Sequence, residues 1–322
     1  MKFLKISVFI ALTLIFTGTG LTTVFANEAL PDVSSDSNLE FFTYEDSPFT
    51  EVSADPALTK DTDIKALLKA VPEMKASDVS IQNDPYEPND TIDTAASIPY
   101  GQTIYANIGR ADDIDWYKVN LTAGTDVAFL LKNIPAGTDY DLYVFDPNLN
   151  YAVSENSGNL DEKLYISIQT SGTWYVAVVP YSGYNPDQNY SLFVGNAWRT
   201  GSYSAPTSMT FNYNSSNVGT ILPYQTLDLR QVSAIPDTAR VTSISFYTYS
   251  SFGNWGNQIK YIYSYQTGNW YETFVGLNYV LDLPSNLFVK QQWPITTSIQ
   301  TLFTPTASYS PGINFSYQYL IE

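Results

Sequence analysis

Histidine and cysteine are both absent from this chain of 322 residues. Without histidine, the Ser-His-Asp and Cys-His arrangements of nucleophilic catalysis and the His-Glu-x-x-His zinc site are excluded. Without cysteine, no disulfide can stabilise the fold, which has to rest on a hydrophobic core, on bound ions or on both. Catalysis by carboxylates alone stays open, because a glycosidase needs only two acids about 5 Å or about 6.5 to 9.5 Å apart.

Basic residues are scarce: 15 Lys and Arg stand against 32 Asp and Glu, and the formal net charge is −17. Nucleic acids and anionic membrane surfaces repel a chain this acidic, so we expect neither as a partner. Acidic residues outside the cell often bind divalent cations. The alternative is that they serve only solubility.

Long hydrophobic runs are limited to the N-terminus, where Lys2 and Lys5 precede an apolar run over residues 6–16. This run is shorter than the roughly 20 residues that span a bilayer. Val24-Phe25-Ala26 has the small-residue pattern of a signal-peptidase site. We therefore predict a signal peptide over residues 1–26 and a secreted, extracellular protein that does not contact the membrane after cleavage. An uncleaved anchor is the alternative.

Acidic residues are unevenly spread and divide the remaining chain into three regions. Residues 27–90 contain 15 acids and 4 bases, residues 91–196 contain 12 and 4, and residues 197–322 contain 5 of each. The charge distribution and the strand patterns described below together predict a linker over residues 27–83, one domain over residues 84–195 and a second over residues 196–322.

The linker is polar and has no sustained periodicity, so we expect it to be acidic and largely disordered. One short stretch differs, because apolar residues recur there with helical spacing before Pro72. This spacing predicts a short helix over residues 61–71. A stripe this short needs a partner surface, and a propeptide remnant or a helix that packs on a domain fits better than a dedicated binding helix.

Beyond Pro85, short runs of β-branched and aromatic residues alternate with Gly, Pro and Asn. Such runs, separated by turn signals, predict seven strands and favour a β-sandwich. The predicted strands are Thr103–Asn107, Asp115–Leu121, Thr125–Leu131, Tyr140–Asp146, Lys163–Gln169, Thr173–Val179 and Tyr190–Val194.

The last region continues in the same pattern, and Thr267-Gly268-Asn269 is typical of a hairpin turn. Its predicted strands are Val241–Tyr249, Gln258–Tyr265, Trp270–Val275, Leu287–Lys290, Thr296–Phe303 and Ile313–Ile321. The fold class that we predict is therefore all-β, with two β-sandwich domains. The sequence of the second domain resembles no family known to us.

Two short segments of the central region concentrate oxygen atoms that could bind a cation. They are residues 84–91, Asp-Pro-Tyr-Glu-Pro-Asn-Asp-Thr, and residues 112–117, Asp-Asp-Ile-Asp-Trp-Tyr. Calcium takes six to eight such oxygens. Four or five carboxylates crowded together would repel one another without a cation, which favours a bound ion. A surface loop network or a set of capping turns is the alternative.

Several motifs of the central region occur together in one order. They are Tyr86–Thr91, Asp112–Val119, Ala123–Thr125, Asp139–Tyr143, Ser154–Asn156 and Gly172–Val176. In order and spacing, these motifs resemble the bacterial pre-peptidase C-terminal domain over about residues 84–195. The resemblance implies a jelly-roll-like β-sandwich. Such domains lie next to the catalytic domains of secreted bacterial proteases and are related to the collagen-binding modules of clostridial collagenases.

The resemblance also implies a calcium site. In calcium-binding relatives the ion is held by an N-terminal strand and by the loop before the Asp-Trp/Phe-Tyr strand. The matching positions of this chain are Glu87, Asn89, Asp90, Asp112 and Asp115. One position departs from the pattern: the acidic ligand two residues before Glu87 is replaced by Pro85. Asp84 or a water molecule could compensate for it.

The second domain is neutral and rich in Tyr and Trp, which suits either a filled core or a contact surface for polysaccharide or protein. Among its turn aromatics, Phe252, Trp255 and Trp270 are the candidates for ligand contact. We expect a non-catalytic accessory or adhesion protein that binds an extracellular polymer, either protein or polysaccharide. The alternative is a carboxylate-dependent glycan hydrolase or lyase, for which Glu272 and Asp282 are available.

Overall fold

The computed structural model describes residues 30–31, 33, 48–53, 84–206, 208–248 and 258–322. The predicted signal peptide, the predicted helix over residues 61–71, Phe252 and Trp255 lie outside these residues. Within the described ranges, no helix has the length and apolar character needed to cross a membrane. The described chain consists of strands, joined by loops and by one short 3-10 helix, Ile92–Thr94. The all-β prediction is confirmed.

Nine strands form the central sandwich. They are β1 (Ala96–Ser97), β2 (Thr103–Ala106), β3 (Asp115–Leu121), β4 (Asp126–Lys132), β5 (Asp139–Phe145), β6 (Tyr151–Ser154), β7 (Glu162–Ser167), β8 (Gly172–Ser182) and β9 (Tyr190–Asn196). One sheet has the order β1-β3-β8-β5-β6 and the other the order β2-β9-β4-β7. All neighbouring strands are antiparallel except β1 and β3.

The core of this sandwich lies between the two sheets because alternate side chains of each strand point inward. In β3, Tyr117, Val119 and Leu121 belong to this core, while Trp116 points to the outer face of its sheet. Trp116 is buried there under the segment that contains the 3-10 helix, together with Tyr143 and Phe145. The segment before β1 therefore covers the outside of the five-stranded sheet.

All seven strands predicted for this region are present, and the bounds of β3 agree with the prediction at both ends. Two further strands, β1 and β6, were not predicted. β1 has only two residues, Ala96 and Ser97, and it is defined by its parallel pairing with Tyr117 and Lys118 of β3. Periodicity cannot indicate a strand this short.

Nine strands form the second unit. They are β10 (Trp198–Ala205), β11 (Phe211–Asn214), β12 (Gln225–Asp228), β13 (Arg240–Thr248), β14 (Gln258–Ser264), β15 (Asn269–Glu272), β16 (Gln292–Ile299), β17 (Thr306–Tyr309) and β18 (Pro311–Leu320). Its sheets have the orders β10-β18-β13, β12-β16-β14-β15 and β11-β17. A separate core lies among them, with Trp293 and Phe315 in ring contact at 5.4 Å.

The predicted hairpin at Thr267–Asn269 is confirmed, since Ser264 of β14 pairs with Asn269 of β15. The predicted strand Leu287–Lys290 is wrong. Only Phe288 makes an isolated bridge, to Arg240. Leu287 and Val289 are nonetheless fully buried, so their alternation reflects an irregular segment that anchors two side chains in the core.

The two units meet at a small apolar cluster. Ala128 and Leu130 of β4 are buried there with Ala197, which directly precedes β10, and Leu320, the last residue of β18. Trp198 Nε1 donates a hydrogen bond of 2.8 Å to Asp126 Oδ2 across this cluster. The first and last strands of the second unit therefore both lie against the central sandwich.

A segment of the predicted linker also lies against the central sandwich. Ser53 and Tyr151 of β6 exchange two backbone hydrogen bonds of 2.9 and 2.8 Å, and Thr50 N–H donates to Tyr165 C=O of β7 at 2.7 Å. The ring of Phe49 packs against Tyr165 and Trp198. Residues 48–53 thus pair with the edge strands of both sheets, which the composition of the linker did not indicate.

Candidate metal centre

Three carboxylates from two segments converge beside the start of β3. One oxygen from each of Glu87, Asp90 and Asp113 lies within 4.8 Å of the other two. Glu87 and Asp90 belong to the segment that precedes the 3-10 helix, and Asp113 belongs to the loop between β2 and β3. The two segments that the sequence analysis selected are therefore brought together.

The first segment is held in place by Asp84 and Asn89. The carboxylate of Asp84 accepts from Tyr86 N–H at 2.8 Å and from Asn107 N–H, just past the end of β2, at 3.0 Å. Asn89 bonds twice with the backbone of Trp116: its C=O accepts at 2.8 Å and its side-chain Nδ2 donates at 3.3 Å. Both ends of the segment are thereby tied to strands of the sandwich.

The second segment is a tight loop that turns Asp113 inward. Gly109 N–H donates to Asp113 Oδ2 at 2.6 Å, and Asp113 N–H donates to the C=O of Arg110 at 3.3 Å. The side chain of Asp113 is fully buried. Local backbone bonds of this kind fix the direction of an acidic side chain in a loop.

Asp115 is the first residue of β3 and is also fully buried. Its Oδ2 accepts a hydrogen bond of 2.5 Å from the hydroxyl of Tyr190, and the hydroxyls of Tyr190 and Tyr117 lie 2.6 Å apart. Two core tyrosines therefore orient this carboxylate from inside the sandwich.

Burial and crowding disfavour negative charge at this place. Burial raises the pKa of the Asp113 carboxyl to about 8, and the nearby Asp90 and Glu87 also raise it. Burial, followed by the charge of Asp113, raises the pKa of Asp115 well above its ordinary value. Burial also raises the pKa of Glu87. A cation bound among these groups would offset both effects.

Two buried oxygens of this region provide a test of whether the residues suit a cation. Among the described residues, Asn89 Oδ1 and Asp115 Oδ1 have no hydrogen-bond donor, although both side chains are completely buried. Buried oxygens without a donor are costly unless another group binds them. Asp115 also lies within electrostatic range of Asp113, Asp84 and Glu87. The atoms that could bind a metal ion here are all oxygens, and oxygen ligands suit a hard cation.

The five ligands predicted from the sequence do not all lie in the group of three carboxylates. Glu87 and Asp90 lie in the group of three carboxylates. Asn89 and Asp115 are fully buried, and Asp115 interacts electrostatically with Asp113 and Glu87 of the group. The side chain of Asp112 is 86% exposed, and its Oδ1 pairs with Arg110 Nε at 3.0 Å. Asp113, which the motif resemblance did not select, is the third member of the group in place of Asp112. The sequence signal for Asp113 was only its position next to Asp112.

In the second unit, the described candidate for ligand contact is Trp270. It is half-buried, its ring lies 5.3 Å from that of Tyr263, and its Nε1 donates to the C=O of Pro31 at 3.3 Å. Trp270 therefore already contacts the N-terminal part of this chain. Glu272 lies two residues further along, and partial burial raises its pKa.

Comparison with known proteins agrees with the motifs of the central region. Residues 113–180 match the family model described as the bacterial pre-peptidase C-terminal domain, so the chain carries such a domain. The pre-peptidase C-terminal domain of a collagenase from Bacillus anthracis is 22% identical, with a TM-score of 0.27, over 31% of this chain and 93% of that domain. No curated protein matches the chain.

Two other solved structures align with larger parts of the chain. A protein from Eubacterium rectale is 11% identical, with a TM-score of 0.35, over 72% of this chain and 81% of its own. The tandem CBM22 domains of Xyn10C from Paenibacillus barcinonensis are 10% identical, with a TM-score of 0.24, over 63% and 82%.

Proposed function

We propose that this chain is an exported, non-catalytic binding protein whose central sandwich holds a calcium ion. The observation that carries the calcium site is the convergence of Glu87, Asp90 and Asp113 within 4.8 Å. The proposed ligands are these three carboxylates together with Asn89 and Asp115. Export rests on the signal-peptide pattern of residues 1–26.

The proposed ion would tie the segment before β1 to the loop before β3. Extracellular modules bind calcium with dissociation constants of roughly 0.1 to 1 mM, so about 1 mM calcium would stabilise the fold by roughly 0.4 to 1.4 kcal/mol. Asp84 stays outside the ligand set, because both of its oxygens accept backbone hydrogen bonds. It supports the segment where Pro85 replaces an acidic residue.

Calcium titration of the purified protein tests this site, with Asp113→Asn as the variant and Asp112→Asn as its matched control. The two variants remove one charge each from adjacent residues. We expect the wild type and Asp112→Asn to bind calcium and to melt at a higher temperature with calcium than with chelator, and Asp113→Asn to lose both effects. Glu87→Gln is the second variant if Asp113→Asn does not fold. Melting curves of the wild type that do not respond to calcium would refute the site.

The binding function is supported by aromatic side chains exposed on both units. In the central sandwich Tyr105 is 58% exposed, and Tyr181 and Tyr184, which lie on either side of Gly183 in sequence, are 52% and 48% exposed. In the second unit Phe274 is 63% exposed and Phe303 79%. Aromatic rings in such positions can pack on sugar rings or on extended peptide. Phe252, Trp255 and Trp270 remain proposed contact residues.

Pull-down on insoluble collagen, peptidoglycan and common polysaccharides tests the binding function, with hydrolysis measured on the same materials. We expect retention without turnover. Trp270→Ala and the double variant Tyr181→Ala/Tyr184→Ala separate the contributions of the two units, since each should weaken retention only if its own unit makes the contact. Turnover that is lost in Glu272→Gln or Asp282→Asn would establish the carboxylate-dependent hydrolase instead.

A further inference from the structure

Arg110 lies in the loop between β2 and β3 and bridges two carboxylates. Its Nη2 lies 2.6 Å from Asp90 Oδ1, and its Nε lies 3.0 Å from Asp112 Oδ1. The side chain of Arg110 is 34% exposed and that of Asp90 is 15% exposed. One partner of this arginine thus belongs to the group of three carboxylates, and the other lies at the surface.

The loop backbone couples Arg110 to the same group a second time. Asp113 N–H donates to the C=O of Arg110 at 3.3 Å, so the loop that aims Asp113 inward also carries the guanidinium. Burial lowers the pKa of Arg110, but the charges of Asp90, Asp113 and Asp112 outweigh burial and raise it. The guanidinium therefore lies in the field of the carboxylates that would bind the ion.

A guanidinium and a metal ion compete for the same negative charge. Arg110 already neutralises part of the group without any metal, which lowers the repulsion that would otherwise favour ion binding. An ion that takes Asp90 as a ligand has to share with Arg110 a carboxylate whose Oδ1 already accepts from the guanidinium. It also has to tolerate a positive charge nearby, because arginine stays protonated at all relevant pH values.

We infer that Arg110 is an internal competitor that weakens calcium binding at the proposed site and keeps the metal-free site folded. This inference rests on the proposed calcium site. It predicts opposite effects of losing the arginine charge: tighter calcium binding, and lower stability when calcium is removed. If Arg110 had a purely structural role, its replacement would lower stability both with and without calcium and would not tighten calcium binding.

The test is calcium titration by calorimetry on the chelator-treated full chain, comparing wild type, Arg110→Gln and Arg110→Lys. We expect Arg110→Gln to bind calcium about tenfold more tightly, because the loss of one nearby charge changes such equilibria by roughly this amount. Arg110→Lys should bind like the wild type, since it keeps the charge. Arg230→Gln, which removes the same charge from an exposed pair with Asp228 in the second unit, should leave the affinity unchanged.

Thermal melting supplies the second measurement. In chelator, Arg110→Gln should melt below the wild type, and in excess calcium the difference should shrink or reverse. Binding by Arg110→Gln where the wild type shows none would also support the inference. Equal or weaker binding by Arg110→Gln, with the wild type binding calcium, overturns the inference and leaves the site standing. Absence of calcium binding in both proteins overturns the site and the inference together.

Discussion

The hydroxyl of Tyr190 donates a hydrogen bond of 2.5 Å to the carboxylate of Asp115 inside the central sandwich. Tyr190 is in β9 and Asp115 is in β3, so the bond joins the two sheets. The hydroxyl of Tyr190 also lies 2.6 Å from the hydroxyl of Tyr117. Through this bond the core determines the direction of a carboxylate at the edge of the candidate metal centre.

Replacing Tyr190 by Phe should destabilise the protein by about 1 to 3 kcal/mol, because Asp115 Oδ2 then loses its donor while it stays buried. Urea denaturation in chelator measures this change. Tyr309→Phe is the matched control: Tyr309 is equally buried, and its hydroxyl has no hydrogen-bond partner among the described residues. We expect the control to be neutral or slightly stabilising. Equal losses for the two variants would refute the special role of the Tyr190 hydroxyl.

The contact of Phe49 with the central sandwich should contribute measurably to stability. Its half-buried ring packs against Tyr165 at 6.3 Å and Trp198 at 5.9 Å between ring centres. Phe49→Ala should lower the free energy of unfolding by about 1 to 2 kcal/mol. Exposed Glu51, two residues further along, provides the control, and Glu51→Ala should change stability by less than about 0.5 kcal/mol. No loss in Phe49→Ala would mean that residues 48–53 are not part of the folded unit.

Lys260 gives the stability a specific pH dependence. Its side chain is fully buried in the second unit, its Nζ donates to Leu277 C=O and to Asn278 Oδ1 at 3.0 Å each, and burial lowers its pKa to about 8. The unfolded chain has the ordinary value of about 10.4. Between pH 8 and 10.4 the unfolded state therefore binds more protons, and stability rises with pH by at most about 1.4 kcal/mol per unit.

Urea denaturation at several pH values between 7 and 10.5 checks this contribution, with Lys260→Met as the comparison. We expect the difference in unfolding free energy between wild type and Lys260→Met to shift in favour of the wild type as the pH rises above 8. Subtracting the variant removes the titration of the tyrosines, which both proteins share. A difference that stays constant over this range would contradict the lowered pKa.

Trp198 and Asp126 should be energetically coupled across the contact between the two units. The indole N–H donates to the Asp126 carboxylate at 2.8 Å, and Ser167 donates to the other carboxylate oxygen at 2.7 Å. A double-mutant cycle with Trp198→Phe and Asp126→Asn should give a coupling energy of about 1 to 2 kcal/mol, because one partner of the bond is charged. Additive effects of the two substitutions would show that the bond contributes nothing.

Much of the central fold was predictable because its strands alternate and end at turn residues. β3 begins and ends where the pattern of Asp115–Leu121 predicts, and the hairpin at Thr267–Asn269 follows from its turn residues. β1 and the pairing of residues 48–53 were not predictable. They exist through contacts with strands far along the chain, and their own sequences contain no periodic signal.

Which of the two neighbouring residues, Asp112 or Asp113, belongs to the candidate site could not be predicted from the sequence. Both are loop residues before β3, where the alternation that orients strand side chains does not apply. The hydrogen bond from Gly109 N–H turns Asp113 inward, and the ion pair with Arg110 holds Asp112 at the surface. Local pattern cannot distinguish two neighbouring acids whose directions depend on such bonds.

The sequence by itself determined the all-β class, the two acidic segments, and the absence of histidine and cysteine chemistry, because these depend on residue type and on local spacing. Only the tertiary structure decided that Glu87, Asp90 and Asp113 meet, that Arg110 lies among them, and that Tyr190 orients Asp115 from the opposite sheet. Those relationships join residues between about 20 and 75 positions apart, and only the pairing and packing of the two sheets set the distances between them.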